Sequence, residues 1–91
     1  MDIQFDPAKR AKASEDRGLD FADAGLVFEG EVFTRPDLRT AYGEDRYITA
    51  GYLKGRLVVL VWTLRGAARR IISMRYAHDD EERRWREAAG L

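Results

Sequence analysis

The chain has no cysteine and only one histidine in its 91 residues. Without thiols it has no disulfide framework, no thiolate metal cluster and no Cys nucleophile, as fits a reducing compartment. A single histidine excludes the usual His-based metal sites, and there is no H-x-x-x-H spacing and no Gly-rich phosphate loop. No metal or other cofactor is expected. The longest apolar run, "LVVLVWTL" from Leu57 to Leu64, falls far short of the roughly 20 residues that cross a bilayer. The opening "MDIQFDPAKR" has no apolar signal core. These absences predict a soluble, cytoplasmic chain with no membrane partner. Net charge is also missing: 16 Lys and Arg balance 16 Asp and Glu, which taken alone argues against a strongly basic nucleic-acid binder. There are no internal repeats and no low-complexity segments. A chain of this length buries only about 60% of its unfolded surface, so one domain over residues 1–91 is expected, without a deep enclosed site.

The residues that are present punctuate the chain clearly. "IQFD" alternates like a short strand, and Asp6 followed by Pro7 supplies an acidic cap and a proline where no backbone donor is needed. The first helix runs from Pro7 to about Arg17 and stops at Gly18, a residue suited to a left-handed turn. A second helix starts at Asp20, its buried stripe formed by Phe21, Ala24, Gly25 and Phe28, and ends at Gly30. From Glu31 to Asp45 the periodicity is lost and Pro36, Asp37, Arg39, Gly43 and Glu44 accumulate. This stretch reads as a loop, with a short strand around Val32 and Phe33. Then "RYITAGYL", "RLVVLVWTL" and "RRIISMRYA" follow one another across turns at Lys54-Gly55 and Gly66-Ala67, a candidate antiparallel meander. The central run is apolar at nearly every position, which predicts burial on both faces, with the first two helices covering one of them. Trp62 is expected in the core.

If both turns are two-residue loops, Tyr47, Thr49, Gly51, Ser73 and Arg75 share one face, while Ile48, Ala50, Val59, Val61, Ile72 and Met74 share the other. The first face is the candidate functional surface. After Ala77, "HDDEERRWREAAGL" reads as a helix at the sheet's edge, acidic in its first turn and basic later, an order that suits the helix dipole. The expected class is α+β: an antiparallel β-meander with two N-terminal helices on one face and a C-terminal helix.

"FDPAK", "GLDFADAGLVF" and "YGEDRYITAGYLKGRLVVLVWTLRGAARRIISMR", with the A-x-x-x-E that follows, resemble the BrnT toxins, small RelE-like ribonucleases of type II toxin–antitoxin pairs. The resemblance runs through nearly the whole chain and is most specific in Y-G-E-x-R and R-I-I-S-x-R. It implies a RelE-like fold and a weakly selective mRNA endonuclease that halts translation and growth. It also implies a cognate BrnA-like, ribbon-helix-helix antitoxin that sequesters the toxin and carries it to operator DNA. Metal-free RNA cleavage uses the 2′-hydroxyl as nucleophile and needs a base, cationic donors around the phosphorane and an acid for the leaving oxygen. Arginine suits the middle role because its planar fork holds two phosphate oxygens at once.

Arg65, Arg70 and Arg75 match the family's arginines. Arg65 and Arg75 are the candidate phosphate ligands; Arg70 is a further RNA contact or a structural residue. Glu44 is a candidate base or a salt-bridge partner of Arg46, which is itself a candidate RNA contact. Glu81 either caps its helix or braces Arg75. Tyr47, Tyr76 and Trp85 are candidates for stacking on bases or for the core and its rim. His78 is a candidate acid or base, or a capping-region residue.

The chain also departs from the family pattern. Asp16, Arg17 and Gly18 stand where K-H-G is common, and Tyr76, Asp79 and Asp80 replace basic residues of S-A-R-K-A-T-R-R-E. Loss of positive charge beside the cleft weakens the counterion-release term in RNA affinity. The alternative reading is therefore a catalytically weak relative that acts as an antitoxin-binding, operon-regulating module.

Overall fold

The computed structural model describes residues 1–90. Its elements run β1 (Ile3–Phe5), α1 (Pro7–Arg17), a 3-10 turn (Phe21–Asp23), α2 (Ala24–Glu29), β2 (Val32–Pro36), β3 (Arg46–Leu53), β4 (Arg56–Arg65), β5 (Ala68–Tyr76) and α3 (Asp79–Ala88). The class is α+β. The five strands form one mixed sheet in the order β1-β5-β4-β3-β2.

Local chemistry sets the first elements. The Asp6 carboxylate accepts from the Ala8 N–H at 2.9 Å, Pro7 follows, and Gly18 closes α1 at φ 67. Asp20 starts the second helical segment in the same way, accepting from the Ala22 N–H at 2.9 Å. That segment is a 3-10 turn followed by one short α-helix rather than a continuous helix.

The meander β3-β4-β5 is antiparallel, with both two-residue turns as expected. Two corrections follow from the pairing. The stretch after Glu31 is a full edge strand, paired with β3 from Val32 to Pro36. Pro36 sits at its end, where an edge strand tolerates the missing donor. β1 adds a parallel pairing to β5, Ile3 opposite Arg69, so the sheet is mixed.

The face assignment also changes, and a β-bulge is the reason. Trp62 pairs with Ile71 but Val61 pairs with Ser73, so Ile72 is an extra residue without a partner. One extra residue reverses the in–out sense of everything beyond it. Met74 turns to the face of Thr49 and Leu60, whereas Ser73 and Arg75 turn to the face of Ile48, Ala50 and Val59. Tyr47, Thr49 and Gly51 therefore do not share a surface with Arg75.

The first face is the core. Ala13, Leu19, Phe21, Ala24 and Val27 from the helical layer bury against Leu53, Val58, Leu60, Trp62, Ile71 and Met74. Fully burying the Leu, Val, Ile, Phe and Met side chains among them contributes about 1.5–3 kcal/mol each. Thr49 ties off polar atoms on this face, while Arg69 Nε is buried without a hydrogen-bond partner, its guanidinium stacked over Phe28 at 3.9 Å. The Trp62 indole donates to Thr49 Oγ1 at 2.8 Å, and that hydroxyl meets Thr34 Oγ1 at 2.8 Å. Gly51 lets α2 approach: a Cβ there would stand 2.8 Å from Val27 Cγ1 and 2.9 Å from Val32 Cγ1.

The opposite face receives α3, which lies over the sheet and not at its edge. Trp85 packs edge-on against Tyr52 at 5.1 Å, and the Tyr52 hydroxyl donates to Glu82 at 3.2 Å. α3 buries none of its residues. Among the described residues no helix is long and apolar enough to cross a membrane.

Candidate functional site

The register brings five arginines onto the α3-side face of the sheet: Arg35, Arg46, Arg65, Arg70 and Arg75. Three of them are paired with carboxylates on the same side, Arg46 and Arg65 with Glu44 and Arg75 with Glu81.

At one end, Arg75 extends from β5 to the first turn of α3. Its Nη1 and Nη2 donate to the two oxygens of Glu81 at 2.7 and 2.9 Å, and Nη1 also donates to the Tyr76 carbonyl at 3.2 Å. Glu81 Oε1 further accepts from the His78 backbone N–H at 2.8 Å, and His78 Nδ1 stands 3.4 Å from the same oxygen. A capping box at the start of α3 therefore doubles as the clamp on Arg75.

Arg75 holds the Glu81 carboxyl down to about 2, with the His78 N–H adding to the effect, and Glu81 raises Arg75 above its ordinary value. A carboxylate held that low is a poor proton acceptor near neutral pH. Its geometry is that of a positioning residue. His78 is the imidazole of the cluster, able to take or give a proton, and its side chain is 73% exposed.

The clamp leaves part of Arg75 free. A guanidinium has five N–H donors, and the three bonds above use two on Nη1 and one on Nη2. Nε–H and the second Nη2 hydrogen remain, side by side on one edge. That edge is the fork that fits two oxygens of a phosphate.

The second cluster lies at the other end of the hairpin. Glu44 accepts from Arg65 Nη1 at 2.6 Å and from Arg46 Nε at 3.3 Å, and Arg46 stacks over Tyr42 at 4.0 Å. Arg65, first, and Arg46 hold the Glu44 carboxyl below its ordinary value. In position Glu44 is a salt-bridge partner of both arginines. Arg65 pairs with Ala68 while Arg75 pairs with Val59, six residues back along β4, so roughly 20 Å of strand separates them at ~3.3 Å per residue. The two candidate phosphate ligands do not meet at one phosphorus. Arg70, opposite Thr63, lies between them.

Tyr47 and Tyr76 are placed away from this face. Tyr47 packs on Trp62 at 4.8 Å and Tyr76 lies beneath Arg56 at 3.6 Å, both against the core on the helix-covered side. The bulge again accounts for Tyr76, since it sends every second residue of β5 beyond Ile72 inward.

Arg35 and Arg39 lie in a stretch that reads as loop, so the sequence assigns them no place on this face. Asp37, whose side chain is fully buried, accepts from Arg39 Nε and Nη2 at 2.8 and 2.7 Å and is held down to about 2, chiefly by that pair. Arg39 stands close enough for its charge to be felt at Arg75. Only the alternation Val32-Phe33-Thr34-Arg35 signalled the strand. Among the described residues no group of three or more His, Cys, Asp or Glu side chains gathers to hold a metal ion.

A small α+β protein that presents a clamped arginine and an imidazole on an arginine-rich sheet face carries groups that suit a phosphodiester. The comparison with protein families gives the class a name. Residues 5–81 match the family model described as "Ribonuclease toxin, BrnT, of type II toxin-antitoxin system". That span is most of the chain, and the chain belongs to the BrnT family. No curated protein matches it.

Proposed function

We propose that this chain is a metal-independent mRNA endoribonuclease with a RelE-like fold, which inhibits translation and growth in the cytoplasm. A cognate antitoxin of the BrnA-like, ribbon-helix-helix kind neutralises it and takes it to operator DNA. The observation that supports this reading is the free side edge of Arg75, held in place by Glu81 beside His78. RNA lies along the arginine face, with Arg70 and Arg65 contacting the backbone on one side of the scissile phosphate. Arg75 receives two non-bridging oxygens through Nε–H and Nη2–H as the 2′-hydroxyl attacks. His78 moves the proton at the 2′-hydroxyl or at the leaving 5′-oxygen. Glu81 fixes the guanidinium in advance, so that no reorganisation is needed as charge develops.

A second reading, the antitoxin-binding module without useful cleavage, is favoured by Asp79 and Asp80, both exposed in the first turn of α3 next to Arg75. One assay separates the two. The purified chain, incubated with RNA in EDTA, should produce fragments ending in 2′,3′-cyclic phosphate. Intact RNA would favour the module, and cleavage that requires added magnesium would contradict the metal-independent route.

A further inference from the structure

Between α3 and the sheet runs a groove of about 430 Å³ that the proposed chemistry does not use. Its floor is aliphatic, with Ile48, Ala50 and Val59, and its walls are Phe33 of the edge strand β2 and Trp85 and Ala88 of α3. Phe33 is 59% exposed, an uncovered aromatic beside an open apolar floor. Arg35 and Arg84 line the same groove. Glu31 and Glu81 are its acids, and Glu81 is already engaged by Arg75.

We infer that this groove is the docking site of the antitoxin, which places an apolar side chain between Phe33 and Trp85 while an acidic residue of the same segment meets Arg35. The inference rests on the toxin reading above. A protein fits better than RNA because an aliphatic floor offers nothing to a phosphate or a base edge, whereas interface energy concentrates in apolar anchors seated in desolvated pockets. Charge fits as well: Arg84 is held at 3.5 Å by Asp80, and Arg35, which makes no ion pair among the described residues, is the rim cation open to an acidic partner. Glu81, the clamp on Arg75, lines the groove, whereas Arg65 and Glu44 do not, so a segment seated in it reaches the Arg75 cluster first.

The test uses the full chain and its cognate antitoxin, each purified. Phe33→Ala should weaken antitoxin binding by about tenfold or more while RNA cleavage stays at the wild-type rate. Ala88→Glu, at an exposed position on α3, should weaken binding by blocking the groove and repelling acids. Unchanged affinity for both folded variants overturns the docking site and leaves the toxin reading intact. Slower cleavage by Phe33→Ala with unchanged antitoxin affinity assigns the groove to RNA and overturns the inference. A wild-type chain that neither cleaves RNA nor binds the antitoxin overturns the toxin reading, and this inference with it.

Discussion

The helix-covered face of the sheet and the face beneath α3 are built from the same strands and do opposite work. The covered face holds Leu60, Trp62, Ile71 and Met74, with the Trp62 indole and the Thr34 hydroxyl tied off through Thr49. The other face carries five arginines, and its two carboxylate clusters hold their cations at opposite ends of one hairpin. The difference shows that a bulge can decide where chemistry is placed. Without the unpaired Ile72, the alternation would have put Arg75 under the helices, where a charged guanidinium is costly.

The two ends of the arginine face also differ. Arg75 is gripped by both oxygens of a carboxylate that is itself fixed by a helix cap. Arg65 makes one contact, to a loop carboxylate, and its side chain is 50% exposed. For the ribonuclease activity proposed above, preorganisation favours the Arg75 end as the reacting centre.

Substitutions sharpen these contrasts in descending size. Arg75→Ala should lower the RNA cleavage rate per folded molecule by ~10²–10³, the loss typical of removing one transition-state donor, and should also lower the melting temperature, because Glu81 loses the partner that holds its carboxyl down. Arg75→Lys should recover little of that rate, because a point charge cannot engage Glu81 and a phosphate with a planar fork. Gly51→Ala belongs to the other face. Its new methyl meets Val27 and Val32, and chemical denaturation should show a loss of about 1–3 kcal/mol with the cleavage rate per folded molecule intact.

Acid should loosen the Arg75 end next. Glu81 is held at about 2 in the folded chain against an ordinary 4.5, so its contribution to stability is complete above the higher value and is lost as pH falls toward the lower one. Glu81→Gln should remove that part of the acid transition, measured as stability against pH. The smallest effect is expected for Arg65→Ala: less than about fivefold in cleavage, the scale of an exposed ion pair worth ~0.2–1 kcal/mol.

Much of this fold was legible because its signals are local. The caps at Asp6 and Gly18 and the turns at Lys54-Gly55 and Gly66-Ala67 stand where their residue types require. The Arg75–Glu81 contact was readable too, since six residues and a helix start bring the two side chains together. The bulge was not. Ile71 and Ile72 are both aliphatic, so nothing in the sequence says which is the extra residue, and one uncounted residue moved Tyr47 away from Arg75 and misplaced Tyr76. Arg35 and Arg39 were hidden by their neighbours. Pro36 and Asp37 read as loop punctuation, whereas Pro36 ends a paired edge strand and Asp37 is a buried anchor for Arg39.

The central claim, that RNA is bound and cut on the arginine face, is tested most directly by titrating the folded chain with a 2′-O-methylated RNA, which binds but lacks the nucleophile. Backbone amide shifts should then move at Arg70, Ser73, Arg75 and His78 and stay still in α1 and α2. Shifts confined to α1 and α2, or none at saturating RNA, would contradict the account.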